Sequence, residues 1–181
     1  TDYVRALAID TGGRIYGAGP YDPITGSQRR FRAGIFRLLP DGSPDPDFHV
    51  DGRAHPYLGT SNEEIPTTAV LLPSGRLLVA CSTVSGFGVI RMQLDGNLDP
   101  TFGEGDGIAL IGTDVNLVSA KAMHVGASGD ILVAGMAAND IVLGHLSSIG
   151  EVVSEWGTDG VVTKDLAGRV FDSEWLGLGQ D

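Results

Sequence analysis

The chain has 181 residues and a formal net charge of −11, with 27 glycines and only 2 tryptophans. This length suits one domain and allows a sizeable hydrophobic core. The acidic balance argues against nucleic acid and anionic membranes as partners, because both need clustered Lys and Arg, and no apolar run is long enough for membrane insertion.

The first predicted element is a pair of short apolar runs, 6–9 and 15–19, joined by a polar turn that contains Gly13. Glycine supplies the positive φ that tight hairpin turns require, so the pattern predicts a β-hairpin. The same pattern returns twice, at 68–81 and 122–135. The runs are too short for helices and favour small and β-branched residues, as strands do.

A longer connection follows the first hairpin, within residues 20–31. The two turn glycines of the first copy (13 and 42) are 29 positions apart, whereas those of the second (75 and 96) are 21 apart, so the first carries 8 extra residues. Insertions in repeat proteins form loops on one face, often the binding face.

That insertion contains aromatic and arginine side chains, which anchor many binding interfaces. The insertion is therefore a candidate for recognition of an anionic or carbohydrate group, or of a protein. The alternative is a solvated loop whose arginines balance nearby acidic residues. The candidate ligand-binding residues are Tyr21, Arg29, Arg30, Phe31 and Arg32.

A third apolar strand leads into a closing segment, Asp41-Gly42-Ser43-Pro44-Asp45-Pro46-Asp47-Phe48, which returns at 95–102 and, in a less similar form, at 149–156. The turn glycines of the three copies lie 54 residues apart, at 42, 96 and 150. A fixed period of this length indicates a repeat architecture, in which no unit can bury its apolar face alone. A short apolar run after each closing segment completes about four strands per unit, the outline of a propeller blade.

We therefore predict a single all-β domain over residues 1–181, built of β-propeller-type repeats with about four antiparallel strands each. The repeats span about 1–63, 64–117 and 118–170, and the first strand of a fourth follows at about 171–181. Three units and a strand cannot close a ring of about four to eight blades. We expect an incomplete propeller, or one completed by a further repeat-bearing chain or by self-association.

The closing segments carry alternating oxygen donors, and these allow two interpretations. Alternating carboxylates and amides hold calcium in short loops, whereas Asp-Gly also predicts a type I′ hairpin turn followed by an Asp that fixes the next turn. The full calcium signature is absent, so we expect no cofactor and keep calcium as the alternative. The candidate calcium ligands are Asp41, Asp45, Asp95, Asn97 and Asp99.

An arginine stands eight residues before the second aspartate of the closing segment in two copies, Arg37 with Asp45 and Arg91 with Asp99. In the third copy both positions change together, to His145 and Val153. A joint change is expected of an ion pair within a blade, because removing one partner strands the other. We predict that these four residues form a structural lock, with a substrate-binding arginine as the alternative.

With its strands, turns, arginine, Asp-Gly and Asp-Pro-x-Phe at fixed offsets, the chain resembles the bacterial delta-60 repeat, a propeller-like family. The second copy, 75–103, matches that pattern almost throughout, and the first departs by its insertion, Pro44 and His49. The resemblance covers essentially the whole chain. It implies a bacterial scaffold that is extracellular, on the cell surface or periplasmic, and it implies no family-wide catalytic residues.

The favoured function is a non-catalytic propeller segment that serves as an extracellular scaffold or binding module. No nucleophile–base pair, P-loop or dinucleotide fingerprint occurs in the sequence, and we name no catalytic residue. One alternative is a hydrolase or lyase that acts on polysaccharide at the propeller channel. Another is a calcium-stabilised surface repeat module.

Overall fold

The structure is a computed structural model that describes residues 3–22, 31–60, 63–113, 118–137 and 140–165. These residues form three four-stranded antiparallel sheets in which each strand pairs with the next in chain order. The described part of the chain contains no helix that is long and apolar enough to cross a membrane. The predicted class, all-β with propeller-type repeats, is confirmed. The predicted first strand of a fourth repeat, 171–181, lies outside the described residues.

Each sheet is one blade. Blade 1 consists of β1 (Ala6–Ile9), β2 (Ile15–Tyr21), β3 (Arg32–Leu38) and β4 (Arg53–Ala54). Blade 2 consists of β5 (Glu64–Leu71), β6 (Leu77–Thr83), β7 (Gly86–Met92) and β8 (Ile108–Gly112). Blade 3 consists of β9 (Ser119–Val125), β10 (Ile131–Ala137), β11 (Asp140–Leu146) and β12 (Val161–Asp165). The first strands lie side by side, since β5 contacts both β1 and β9.

The Asp-Gly turns are three-residue loops. In blade 1 the Gly42 N–H donates to the Leu39 carbonyl at 2.9 Å, and the Leu39 N–H donates to the Ser43 carbonyl at 2.8 Å. Gly42 has a φ of +85°, whereas Asp41 is not among the described residues with positive φ. A type I′ turn needs positive φ at both central residues, so that prediction was wrong. The loop is a type I turn followed by a left-handed glycine.

The apolar side chains are buried between blades rather than within one. Along β6, Leu77 and Val79 pack in a cluster with blade 1, while Leu78 and Ala80 pack in a second cluster with blade 3. Cys81 also faces blade 1 and is fully buried, and burial raises the pKa of its thiol. Blade 2 is therefore covered on both faces, as expected of a unit in a stacked repeat.

Aromatic residues at the ends of the closing segments join neighbouring blades. Phe48 and Phe102 are 0% exposed. A Cβ built on Gly96 would come within 2.9 Å of the Phe48 ring, and one on Gly150 within 2.8 Å of the Phe102 ring. Glycine at these turns thus provides the space for the preceding blade's aromatic side chain.

Candidate functional site

The predicted lock residues lie in direct contact in the first two blades. The Arg37 Nε donates to Asp45 Oδ2 at 2.7 Å, and the Arg91 Nε donates to Asp99 Oδ2 at 2.8 Å. The side chains of the Arg37 pair are only 2% and 3% exposed. The pairing arises because the closing segment folds back along the third strand, where the Asp45 N–H donates to the Arg37 carbonyl at 3.0 Å. The geometry suits a lock, and that role stays a prediction.

Each of these arginines also reaches the following blade. The Arg91 Nη1 donates to the Ser148 carbonyl at 2.7 Å, and the Arg37 Nη1 donates in the same way to the Leu94 carbonyl. The Arg91 guanidinium lies 4.5 Å from the centre of the Phe102 ring. One guanidinium therefore contacts its own closing segment and the next blade's turn, which sequence spacing did not predict.

Burial and pairing act in opposite directions on the Asp99 carboxyl. Burial raises its pKa, while hydrogen bonds from Thr101 and the charges of Arg91 and Arg76 lower it more strongly. The net result is a pKa below the ordinary value for aspartate. Arg76 contributes directly, because its Nε lies 2.7 Å from Asp99 Oδ2. Asp99 therefore stays ionised inside the protein.

The other predicted calcium ligands are engaged in local turns. Asp41 Oδ1 accepts hydrogen bonds from Ser43, at 2.9 Å from the N–H and 2.6 Å from the hydroxyl. Asp95 accepts from both the N–H and the side-chain amide of Asn97, at 3.0 and 2.8 Å. Within the described ranges, no three His, Cys, Asp or Glu residues are grouped so as to hold a metal ion. Calcium binding stays an untested prediction.

Two of the predicted ligand-binding residues, Tyr21 and Arg32, line a small cavity at one end of blade 1. The cavity measures about 180 Å³, and we call it the Tyr57 pocket. The Arg32 guanidinium lies 4.3 Å from the centre of the Tyr57 ring, and the Tyr21 and His55 rings are 4.2 Å apart. Tyr57 is 57% exposed, so much of this tyrosine is accessible beside a cation. The lining residues are Tyr21, Arg32, His55, Pro56 and Tyr57.

Two chain segments bring the pocket together. Tyr21 ends β2 and pairs with Arg32, the first residue of β3. The remaining lining residues belong to the connection that follows β4, a strand of only two residues. Pro56 follows two residues after that strand and has no N–H to extend the ladder, so the chain leaves the sheet there.

The Arg32 side chain is fixed in place by a buried carboxylate. Arg32 Nη1 donates to Glu64 Oε1 at 3.0 Å and to the Thr60 carbonyl at 3.1 Å. Glu64 is 0% exposed, and its Oε1 also accepts the Leu58 N–H at 3.2 Å. Burial raises the pKa of Glu64 above its ordinary value, although the charge of Arg32 opposes this. The guanidinium is therefore pre-positioned at the edge of the pocket.

The remaining predicted ligand residues are placed differently. Phe31 is half-buried, and its carbonyl accepts the Glu64 N–H at 3.0 Å, so its backbone joins blade 1 to blade 2. Arg29 and Arg30 lie outside the described residues. His55, Tyr57 and Glu64 were not predicted. The sequence held one indication of them: the second repeat has a strand at Ile108–Gly112, and the equivalent residues of the first repeat, within 55–60, depart from that strand pattern.

A larger cavity of about 620 Å³ lies on the side of blade 1 that faces away from blade 2. It is lined by Tyr3, Val4 and Phe36 among others. In blade 2, the residue equivalent to Phe36 is Ile90, which is 0% exposed and packs against blade 1. We therefore assign this cavity to an uncovered blade interface and not to a ligand site.

A family model described as "Domain of unknown function (DUF5122) beta-propeller" matches residues 13–48 and 72–102. These segments run through the second and third strands to the closing aromatic of the first two repeats, and they make up less than half of the chain. No curated protein matches the chain. The family match and the three four-stranded meanders agree on a β-propeller-type repeat protein. The finer resemblance to the delta-60 repeat stays a prediction.

Proposed function

We propose that the chain is a propeller scaffold that binds a ligand at the Tyr57 pocket, and that it works as a binding module and not as an enzyme. The observation that carries this proposal is the Arg32 guanidinium, held by the buried Glu64 and stacked on the exposed Tyr57 ring. An extracellular, cell-surface or periplasmic location belongs to the proposal and follows from the resemblance stated above.

The polar groups that recur between repeats and those found in one repeat make different contacts, and this difference supports the proposed site. Polar groups that recur between repeats, such as Asp95 and Asp99, are engaged in turns and ion pairs that shape the blades. The polar and aromatic groups of the Tyr57 pocket occur in blade 1 alone, where Tyr21 replaces Thr83 and Ala137 of the other repeats. Residue types that serve the repeated fold tend to recur between units, so groups found in one unit are the better candidates for binding.

The chemistry of the pocket favours an acidic sugar. A guanidinium presents donors in a planar fork that matches a carboxylate. Exposed tyrosine supplies a broad, rigid contact surface at low cost in conformational entropy, and its flat ring can lie against the C–H face of a pyranose. Arg32 and Tyr57 lie 4.3 Å apart, so one uronic acid residue could contact both.

The test is titration calorimetry with an oligogalacturonate, compared with its methyl ester, which keeps the rings and removes the charge. We expect binding of the acid and not of the ester. Tyr57→Ala should weaken binding about tenfold, equivalent to about 1.4 kcal/mol. The matched control is Tyr3→Ala, because Tyr3 is also exposed, at 42%, and also lies against an arginine, Arg5.

Arg32→Lys separates the two roles of the guanidinium. Lysine keeps a positive charge for Glu64 but loses the planar fork and the stack. We expect a stable protein with weakened affinity for the acid. Equal effects of Tyr57→Ala and Tyr3→Ala, or equal binding of acid and ester, would contradict the proposal. Shortening of the oligosaccharide during the titration would instead support a polysaccharide hydrolase or lyase.

A further inference from the structure

Another cavity lies between blades 1 and 2, beside the turn that leads into β2. It measures about 360 Å³, which falls in the range of about 300–1,000 Å³ that is usual for small-molecule sites. Blade 1 supplies its polar groups, and blade 2 supplies an apolar wall. We call this cavity the Tyr16 cleft, and its principal lining residues are Asp10, Arg14, Tyr16, Leu71, Leu72 and Leu94.

The hydroxyl of Tyr16 is buried without a hydrogen-bond partner. The residue is 1% exposed, and its Oη atom has no partner within the described part of the chain. A buried hydroxyl that lacks a partner costs free energy. A single water fills about 30 Å³, and the cleft is far larger than that. It therefore has room for a ligand that supplies the missing acceptor.

The repeated fold does not require this hydroxyl. Tyr16 occupies the position of Leu78 and Leu132 in the other two repeats, and Leu78 is likewise 1% exposed. An apolar side chain is therefore sufficient to fill the position. The Tyr16 ring is fixed by the Phe48 ring, which meets it edge-on with centroids 6.1 Å apart, and by the Arg37 guanidinium, 5.7 Å from its centre. The hydroxyl is thus positioned before any ligand binds, which lowers the entropic cost of binding.

Arg14 brings a cation to the same cleft. Its Nε donates to Asp10 Oδ2 at 2.6 Å. In blade 2 the equivalent Arg76 instead places its Nε 2.7 Å from Asp99 Oδ2. Blade 1 has Asp10 where blade 2 has Leu72, which gives Arg14 a carboxylate within its own hairpin. The Arg14 side chain is 38% exposed, so its two terminal nitrogens can donate to a ligand.

The Tyr16 hydroxyl and the Arg14 guanidinium can act on one ligand. The pKa of Arg14 is raised most by its hydrogen bond to Asp10; burial opposes this, and the nearby Tyr16 group adds to the rise. Asp10 already accepts hydrogen bonds from the Gly12 and Arg14 N–H groups and from Arg14 Nε. The groups that a ligand can use here are therefore mainly donors, and a carboxylate has two oxygens to accept from them.

The opposite wall of the cleft is apolar and held in place. Residues 71–73, Leu-Leu-Pro, come from the β5–β6 hairpin, and Leu94 directly precedes the closing segment of blade 2. Leu94 lies over Gly75, where a Cβ would come within 2.6 Å of its side chain. The Leu94 carbonyl accepts a hydrogen bond from Arg37. This wall favours a ligand whose body is apolar.

We propose that the Tyr16 cleft binds a small monocarboxylate with an apolar body, such as an aromatic acid. The carboxylate accepts hydrogen bonds from Arg14 and Tyr16, and the apolar body lies against Leu72 and Leu94. This site is separate from the Tyr57 pocket, because Tyr16 and Tyr21 lie near opposite ends of β2, about 16 Å apart along a strand that rises about 3.3 Å per residue.

The first experiment titrates the intact chain with benzoate and follows its backbone amides by heteronuclear NMR. Two matched ligands separate the two halves of the site: benzamide keeps the ring and removes the charge, whereas acetate keeps the carboxylate and removes the apolar body. We expect benzoate to bind at least about tenfold more tightly than either, because charged acceptors make stronger hydrogen bonds and apolar burial adds affinity. The amides that shift should belong to 10–16, 71–75 and 94.

Tyr16→Phe separates binding from folding. It removes one hydroxyl and keeps the ring, so affinity for benzoate should fall about tenfold. Because the hydroxyl has no partner in the described part of the unliganded protein, resistance to urea should stay equal or increase. The matched control is Tyr3→Phe, which removes an exposed hydroxyl that accepts from Arg5 at 3.2 Å and should leave benzoate binding unchanged.

Arg14→Lys tests the second donor. Lysine keeps a positive charge beside Asp10 but loses the planar fork, so affinity for benzoate should fall while the hairpin stays folded. Equal affinity for benzoate and benzamide, or for benzoate and acetate, would overturn the proposal. So would the absence of amide shifts with benzoate, or shifts confined to the Tyr57 pocket. Unchanged affinity in Tyr16→Phe, or a loss of stability in that variant, would show that the hydroxyl serves the fold instead.

Discussion

The closing segments of blades 2 and 3 have the same backbone shape but different side-chain partners. In blade 2 the Asp99 N–H donates to the Arg91 carbonyl at 2.9 Å, and in blade 3 the Val153 N–H donates to the His145 carbonyl at 3.1 Å. Blade 2 adds the buried ion pair of Arg91 and Asp99, which blade 3 lacks. The turn therefore does not need the pair in order to form.

In blade 3 the acidic partner of the residue at the arginine position comes from a different segment of the chain. Asp130 occupies the hairpin position that is Arg76 in blade 2, and its Oδ2 lies 3.3 Å from His145 Nε2. In blade 3 the carboxylate partner therefore lies on the hairpin turn instead of the closing segment, and the shorter histidine replaces arginine. Blade 3 therefore has no arginine at this position to donate to a carbonyl of a following blade, as Arg37 and Arg91 do. We therefore expect the ion pair to stabilise the junction between blades more than the turn.

The largest expected effect comes from removing the carboxylate of blade 2. Asp99→Ala leaves Arg91 buried without its partner and deprives Arg76 of its contact. Breaking a buried ion pair in this way costs about 3–5 kcal/mol, measurable as a fall in the free energy of unfolding in urea. Val153→Ala at the equivalent position should cost about 1 kcal/mol. Similar losses for the two variants would remove the distinction between the blades.

Transplanting the blade 3 arrangement into blade 2 should recover part of that loss. Asp99→Val alone leaves two cations unpaired, whereas adding Arg91→His and Arg76→Asp recreates the set found in blade 3. We expect the triple variant to be more stable than Asp99→Val by at least about 1 kcal/mol, within the range of couplings between contacting residues. A triple variant that is less stable would show that Arg91 is needed for its contacts to blade 3.

Acid should destabilise the protein through the paired aspartates. The pKa of Asp99 is lowered from 3.8 in the folded state, so its contribution is present above that value and is lost as the pH falls through the folded pKa. The free energy of unfolding should therefore decline below pH 3.8. Asp99→Asn should show a shallower decline when urea unfolding is followed from neutral to acid pH. Parallel curves would assign the acid effect to other groups.

The smallest effect is expected from chelation. Because Asp41 and Asp95 are hydrogen-bonded within their own turns, EDTA should change Tm by less than about 1 °C. Loss of 1 kcal/mol would shift Tm by roughly 2–4 °C in a chain of this size. A fall in Tm that added calcium reverses would establish the calcium-stabilised alternative.

Local spacing predicted the blades and the partners within one blade. A meander brings residues a few positions apart onto adjacent strands, so the eight-residue separation of Arg91 and Asp99 was informative. The contact from Arg91 to Ser148 was not predictable, because it crosses 57 residues and depends on how two sheets stack. The turn type was predicted wrongly because Asp-Gly fits both a two-residue type I′ loop and a three-residue loop.

The proposed binding site was predicted only in part for a related reason. Comparison of the repeats identifies residues that the fold requires, and the insertion in the first repeat predicted Tyr21 and Arg32 as candidates. His55 and Tyr57 lie where the first repeat departs from the strand that the second repeat keeps at Ile108–Gly112, so the repeat pattern indicated a difference there but no role for these residues. Glu64 looked like an ordinary strand residue, and its role depends on burial beside Arg32. Such contacts across units need the structure.

The single cysteine of the chain gives the junction between blades 1 and 2 a chemical reporter. Cys81 is fully buried on the side of blade 2 that faces blade 1, so a thiol reagent can reach it only when those sheets separate or unfold. Because the sequence has 1 cysteine, any labelling rate measures the exposure of this one thiol. Labelling of the native protein would therefore measure the rate at which this interface opens, without introducing a probe.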